Sequence, residues 1–272
     1  MTLDPADLEL AGLRLDIDTP QRADGTQAAG AVATVTLSRP RRRNAMTPSM
    51  WRGLAKIGSA LPPQVRVVVI RGEGQSFSAG IDLRLFSAEG VPAEGPLPDL
   101  RSDGFEAWIA DCQAGFRWLR RPDIVSIAAV RGHAIGAGFQ LALSCDLRVF
   151  AEDAKVCMKE PALGLVPDLT GTKPLVDIVG LPRALEICLT TRTLDAIEAR
   201  ELGLAEIVVP VDRLDEVVAD LSAALLTTDA ATARATKKLL SMAAGNTLEE
   251  QAAAERRIQT ELQRERLGPL PS

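Results

Sequence analysis

The stretch from Arg131 to Val149, RGHAIGAGFQLALSCDLRV, constrains the fold more than any other part of the chain. Gly132, Gly136 and Gly138 run directly into the apolar residues Leu141, Ala142 and Leu143, the pattern of a tight strand-to-helix turn opening a buried helix. The first amides of such a helix have no intrahelical acceptor. The turn therefore either closes a packing corner with no ligand or presents N–H donors to an anion, and this segment alone leaves both readings open. A dinucleotide-binding turn fits less well, because Gly136-x-Gly138 lacks the third glycine and no acidic residue ends a following strand at the usual spacing.

A second turn, SFSAGIDL from Ser76 to Leu83, follows the strand-like run Val65–Ile70 and sets small residues before the Ile81 amide. Two such turns can form a two-donor hole. A third segment, MKEPALGLVPDLTGT from Met158 to Thr172, supplies the carboxylates Glu160 and Asp168 in a loop-rich stretch. Together with LSRPRRRNAMT (37–47) and LTTRTLDAIEARELGLAEIVVP (189–210), these segments resemble, in consistent order over roughly residues 31 to 210, the crotonase or enoyl-CoA hydratase/isomerase superfamily. The resemblance implies an α/β fold with a β-β-α spiral core and a C-terminal helical segment used in trimer contacts, often with two trimers stacked. It also implies chemistry on acyl-CoA thioesters with no separate cofactor, since coenzyme A is part of the substrate.

By the same resemblance, the backbone N–H groups of Ile81 and Ala137 form an oxyanion hole for the thioester carbonyl. Ala79, Gly80, Asp82, Leu83 and Gly136 shape the substrate-binding turns, and Arg41 and Arg42 lie toward the nucleotide. Ala137 stands where many relatives have glycine. Removing a proton beside a thioester leaves charge on the carbonyl oxygen, so the site needs two donors there and a base nearby. Hydratases of the family carry two glutamates, at positions matched by Gln140 and Glu160. A carboxamide holds a ligand but does not exchange protons near neutral pH, whereas moving a double bond needs only one shuttling base. Single-glutamate members keep that base at the position of Glu160, which favours isomerisation of an enoyl-CoA in fatty-acid metabolism; hydration and non-catalytic acyl-CoA binding are the alternatives. Asp168 matches an additional acid of dienoyl-CoA isomerases, although those enzymes also have an acid where this chain has Gln140. It reads equally as a turn residue after Pro167, just as Glu160 alone reads as a surface residue before Pro161.

The composition agrees with these readings without demanding them. A chain of 272 residues, 46% hydrophobic, is large enough for one main domain with a small appendage. A net charge of −5 argues against nucleic acid as a partner. Within that acidic background Arg39, Arg41, Arg42 and Arg43 form a basic cluster, either a solvated turn or a patch for phosphates. Cys112, Cys145, Cys157 and Cys188 show no C-x-x-C pair, so neither a metal site nor a disulfide framework is expected. The opening MTLDPADLELAG lacks the features of a signal peptide, and no run of about 18 apolar residues occurs, so a cytoplasmic protein without membrane insertion is expected. His133, the one histidine, reads as a packed turn residue; neither Ser126 nor Ser144 sits in a nucleophile elbow for it to activate.

Along the chain, alternation predicts strands over Leu10–Ile17 and Ala31–Leu37, paired as a hairpin across the Gly-rich stretch 18–30. Thr47 and Pro48 open a helix bearing Trp51, Leu54, Ile57 and Leu61, and the β-branched run 65–70 is a strand covered on both faces. Ala88–Pro98 reads as a mobile loop beside the site. Residues 99–121 present Phe105, Trp108, Ile109, Cys112, Phe116 and Leu119 on one helical face, more simply a core stripe than an acyl-binding wall. Strands at 124–130 and 147–151 alternate with helices, as in a parallel βα sheet. Asp195 and Glu198 cap a short helix that Gly203 stops. The core is thus expected over 1–210. From 211 to 272 the pattern is wholly helical, with a stripe of Leu214, Val217, Val218, Leu221 and Leu225, a second helix over 230–244, and a third capped by Thr247 and Glu250 that runs to Leu267. Such a tail must pack on something, and a homotrimer or dimer of trimers is expected.

Overall fold

The computed structural model describes residues 3–21, 27–87, 90–92, 94, 97–98, 101 and 103–267. Asp4 caps a short helix, α1 (Pro5–Leu10), through the Ala6 amide at 2.9 Å, so strand β1 (Leu13–Asp18) begins three residues later than alternation predicts. It pairs antiparallel with β2 (Ala31–Leu37), Leu13 lying opposite Leu37. That is the expected hairpin, although residues 22–26 of its connection lie outside the described residues. Thr47 accepts from Met50 N–H and Pro48 occupies the first helical position of α2 (Pro48–Ala60), as read.

Strand β3 (Val65–Gly72) is followed by α3 (Gly104–Arg117), then β4 (Val125–Val130), β5 (His133–Ile135), α4 (Ala137–Ser144), β6 (Leu147–Ala151) and β7 (Lys155–Cys157). The helix predicted over 99–121 is real from 104, with a 3-10 turn at Trp118–Arg120; positions 99, 100 and 102 lie outside the described residues. Next come α5 (Thr172–Thr190), β8 (Leu194–Asp195), α6 (Ala196–Glu201), β9 (Ile207–Val209), α7 (Leu214–Leu225), α8 (Ala230–Ala243) and α9 (Leu248–Leu267). One sheet runs β1-β2-β3-β4-β6-β9, parallel after the first pair, and the second runs β5-β7-β8. The second sheet escapes periodicity because its strands are too short, being defined by pairings such as His133 with Lys155.

Successive side chains of β3 point to opposite faces, so its continuous apolar run serves two cores. Val68 and Ile70 pack with Leu54 and Ile57 of α2, Phe116 of α3 and Phe139 of α4, while Val67 and Val69 pack with Leu214 and Val218 of α7. α7 is thus the cover of the sheet's second face. All eight residues of α4 are buried. α8 is pinned through Lys237, whose Nζ donates to Asp146 Oδ2 at 2.6 Å and to Ile124 O at 2.7 Å.

α5 has no counterpart in the sequence reading, because Gly180, at φ 74° and ψ 160°, and Pro182 interrupt the helical period. α2 and α3 approach closely at Gly115, where a β-carbon would collide with the backbone carbonyl of Trp51. Gly115→Ala is expected to cost about 1–3 kcal/mol through this overpacking, lowering the urea midpoint with little change in slope. Gly245→Ala, whose new β-carbon would come no closer than 3.7 Å to a neighbour, should stay within about 0.5 kcal/mol of the parent.

Candidate active site

The two glycine-rich turns meet because the backbone stitches them together. Ser78 N–H donates to His133 O at 2.8 Å and Ile135 N–H donates to Ser78 O at 3.0 Å. Gly80 adopts φ +86°, and a β-carbon there would lie 2.5 Å from Ile135 O and 3.7 Å from Ala137 N. Only glycine permits this approach. On the other flank Met46 N–H donates to Gly80 O and Asp82 N–H to Met46 O, while Ala79 N–H donates to Arg43 O. Asn44, which the sequence reading did not single out, braces the turn: its Nδ2 donates to Glu73 O and Ser76 O, and its carbonyl accepts from Ser78 Oγ. Its one local signal was its place in a turn, where asparagine tolerates the left-handed conformation it adopts at φ 55°. After these bonds, the N–H groups of Ile81 and Ala137 donate to no protein group among the described residues. Ala137 begins α4 behind Gly136, so its amide also carries the positive end of the helix dipole. Both residues line the same cavity.

Glu160 enters that cavity from the turn after β7 and is 8% exposed. A β-carbon on Gly136 would lie 3.0 Å from its Oε1, a tight contact, and the φ of +50° at Gly136 favours glycine there. Gln140 Nε2 donates to Glu160 Oε1 at 2.6 Å, and Gln140 Oε1 accepts from Leu169 N–H at 2.9 Å and Gly171 N–H at 3.2 Å. Those two backbone donors fix which end of the amide faces Glu160. Glu160 Oε2 is buried with no partner. Burial pushes the Glu160 pKa up, the Gln140 hydrogen bond opposes the rise, and nearby Asp168 adds to it. Burial likewise raises the pKa of Asp168, whose carbonyl is held by Gln113 Nε2 at 2.7 Å. Glu160 and Asp168 thus share the cavity with the two free amides.

The cavity measures about 130 Å³. Phe105, Trp108, Ile109 and Cys112 of α3 face it, whereas Phe116 and Leu119 lie in the core, so the α3 stripe serves both purposes. Trp51 of α2, read from the sequence only as a position on a helix, forms part of the wall. Of the expected mobile loop 88–98, residues 88–89, 93 and 95–96 lie outside the described residues. Glu94 is clasped by Ser49 N–H at 3.0 Å and Ser49 Oγ at 2.9 Å, and Leu97 lines the cavity.

The remaining expected site residues divide by role. Ala79 and Gly80 belong to the stitched turn. The Asp82 carboxylate is committed to Arg84 at 2.7 Å and Arg39 at 3.0 Å, and hydrogen bonding from Arg84, with Arg39 adding, holds its pKa down to about 2. Leu83 is exposed and outside the cavity wall. The basic cluster is divided in the same way: Arg39 is spent on Asp82, while Arg41 and Arg42 stand exposed on the 3-10 turn Pro40–Arg42, next in sequence to Arg43, whose carbonyl accepts from Ala79 N–H. Ser126 is bonded to Asp146 and Leu119 O, Ser144 to Gln140 O, and His133 is exposed on β5, so they form no nucleophilic relay. Among the described residues no group of three or more His, Cys, Asp or Glu could hold a metal ion, and no helix is long and apolar enough to cross a membrane.

The family model for enoyl-CoA hydratase/isomerase matches residues 27–267, and the chain belongs to that family, the crotonase superfamily, with its α/β fold and C-terminal helices. The chain is similar to a provisionally assigned enoyl-CoA hydratase of Thermobifida fusca YX, solved in complex with CoA: 56% identity, 97% of each chain covered, TM-score 0.89. The same protein has been solved with acetoacetyl-CoA. It is also 31% identical to the provisionally assigned enoyl-CoA hydratase echA8 of Mycobacterium tuberculosis, over 84% of each chain. With the hydroxycinnamoyl-CoA hydratase-lyase of Pseudomonas fluorescens it shares 31% identity over 76% of this chain and 73% of the other.

A raised pKa makes folding favour protonated Glu160, so the ionised side chain subtracts stability above its folded pKa, and this penalty shrinks as pH falls from the folded toward the unfolded value and is gone below it. Glu160→Gln removes the charge. The variant should melt above the parent at neutral pH and converge with it below about pH 4. Thermal melts across pH check this, and a lower melting temperature for the variant at neutral pH would contradict it.

Proposed function

We propose that the chain binds an acyl-CoA thioester with its carbonyl oxygen between the Ile81 and Ala137 amides, and that it shifts the double bond of an enoyl-CoA with Glu160 as base. The observation that carries this reading is the buried, unpartnered Oε2 of Glu160 in the cavity that both free amides line. Glu160 removes a proton from the carbon between thioester and alkene, and the electron pair passes into the carbonyl, whose oxygen takes the negative charge. Each amide lowers that barrier by about 3–4 kcal/mol. The proton then returns to the far end of the former alkene as the electrons move back, leaving the conjugated thioester. Asp168, facing the same space, is a second proton carrier. The CoA and acetoacetyl-CoA complexes of the 56% identical protein support the ligand class. Arg41 and Arg42 take the nucleotide end. A cytoplasmic location is part of this reading.

Hydration is the second reading, and the names of several relatives favour it. It needs a group to activate water, and the Gln140 amide, with Nε2 on Glu160 and Oε1 on two backbone amides, is committed elsewhere. Turnover of 3-enoyl- and 2-enoyl-CoA substrates separates the two. The parent should isomerise and hydrate poorly, Glu160→Gln should lose isomerisation by about 10²–10⁴-fold, and Gln140→Glu should raise hydration. Efficient hydration by the parent, unaffected by Glu160→Gln, would overturn the assignment of the base. Binding without any turnover would favour a non-catalytic acyl-CoA binder.

Assembly as a homotrimer or dimer of trimers completes the proposal. Its support lies in apolar surface that this chain leaves uncovered: Leu181, Leu185 and Leu189 of α5, Val166 after the Glu160 turn, and α8, none of whose residues is buried. Light scattering at micromolar concentration is expected to give three or six copies, and a compact monomer would contradict it.

A further inference from the structure

Among the described residues only two buried side-chain polar atoms have no hydrogen-bond partner, Glu160 Oε2 and Trp51 Nε1, and both residues belong to the wall of one cavity. The first is the proposed base. The second is a donor with no acceptor, which a protein tolerates only at a cost, because the N–H has surrendered its water and gained nothing. Trp51 is 2% exposed, so solvent does not reach it. Nor can the ring readily turn toward another partner: its backbone is held by Trp51 N–H to Thr47 O at 3.1 Å and by the close approach of Gly115, and its ring is flanked by Trp108 and Phe116. Those neighbours meet it edge-on and tilted, at centroid distances of 6.3 and 6.4 Å, and carry no lone-pair acceptor.

We propose that the cavity wall yields as an acyl group seats, opening Trp51 Nε1–H to a neutral oxygen, a ketone, hydroxyl or ether, carried on that group beyond its reacting carbons, so that Trp51 is a specificity element. The substrate is then a compact oxygen-bearing acyl-CoA in place of a plain alkyl one. A carboxylate on the acyl group is disfavoured because, among the described residues, no lysine or arginine lines the wall, while Glu160 and Asp168 do. The cavity, about 130 Å³, is near the roughly 150 Å³ that admits a benzene ring. Aromatic walls at Trp51, Phe105 and Trp108 favour a flat group. The inference deepens the acyl-CoA reading and rests on it.

The test is calorimetry of hexanoyl-CoA against oxohexanoyl-CoA isomers with the ketone placed successively past the β-carbon, on the parent and on Trp51→Phe. At least one isomer should bind the parent on the order of tenfold tighter than hexanoyl-CoA. The substitution keeps an aromatic ring and removes the N–H, so the ratio should fall to about one. The chain has three tryptophans, and in nitrogen-resolved spectra of the parent the indole N–H signal of Trp51 should move downfield with the favoured isomer and not with hexanoyl-CoA. This second readout stands even where Trp51→Phe folds poorly. No preferred isomer, or a preference that survives in Trp51→Phe, would overturn the inference while leaving the acyl-CoA reading intact. If no CoA thioester bound at all, the acyl-CoA reading would fail first and the inference with it.

Discussion

The site depends on one close approach, that of Gly80 to the backbone at Ile135. Two turns separated by more than fifty residues are held in register by the bonds between Ser78 and the strand His133–Ile135, and the missing side chain at Gly80 lets them touch. Everything else follows from that contact. The Ile81 amide is freed because its neighbours on both sides are bonded to Met46, and the Ala137 amide is freed because α4 begins there. The buried polar braces of Asn44 and Ser78 hold the arrangement together, and under the proposed chemistry such fixed donors would stabilise developing charge without reorganisation.

Gln140 gives the acid side its character. A carboxylate at that place would set two acidic groups within hydrogen-bonding distance in a buried space, where they could not both ionise easily. The carboxamide instead donates to one oxygen of Glu160 and leaves the other bare. Its own oxygen is taken by two amides from the segment that follows Asp168, so it also ties α4 to the loop carrying the second acid. Identity alone would describe this glutamine as a lost acid. Its contacts instead join Glu160 to the backbone at Leu169 and Gly171.

The parts of the fold legible in the sequence are those whose causes are local. The Thr47–Pro48 cap, the reciprocal bonds of Thr247 and Glu250, the strand 147–151 and the two-faced run of β3 all carry their signal within a few residues. The three-residue strands β5 and β7 have no such signal, and α5 is hidden by a glycine and a proline at its kink. At the site, motif order located Glu160, Gln140 and the two turns. It did not reveal the contacts of Gln140, which come from 29 and 31 residues away. Nor did periodicity distinguish the part of the α3 stripe facing a cavity from the part facing the core, since apolar side chains line both. Arg39 shows the same limit: Arg41, Arg42 and Arg43 of the same cluster are exposed, and only the fold commits it to Asp82.

Cys112 stands in the cavity wall, and burial, with nearby Asp168 adding to it, pushes its thiol pKa up to about 12. A conjugated enoyl thioester is an electrophile, and the thiolate, not the thiol, is the sulfur nucleophile that would add to it. Under the proposed chemistry the wall holds a potential site of self-alkylation beside the product. The same burial favours the protonated thiol, so under that chemistry the wall would be shielded from its own product.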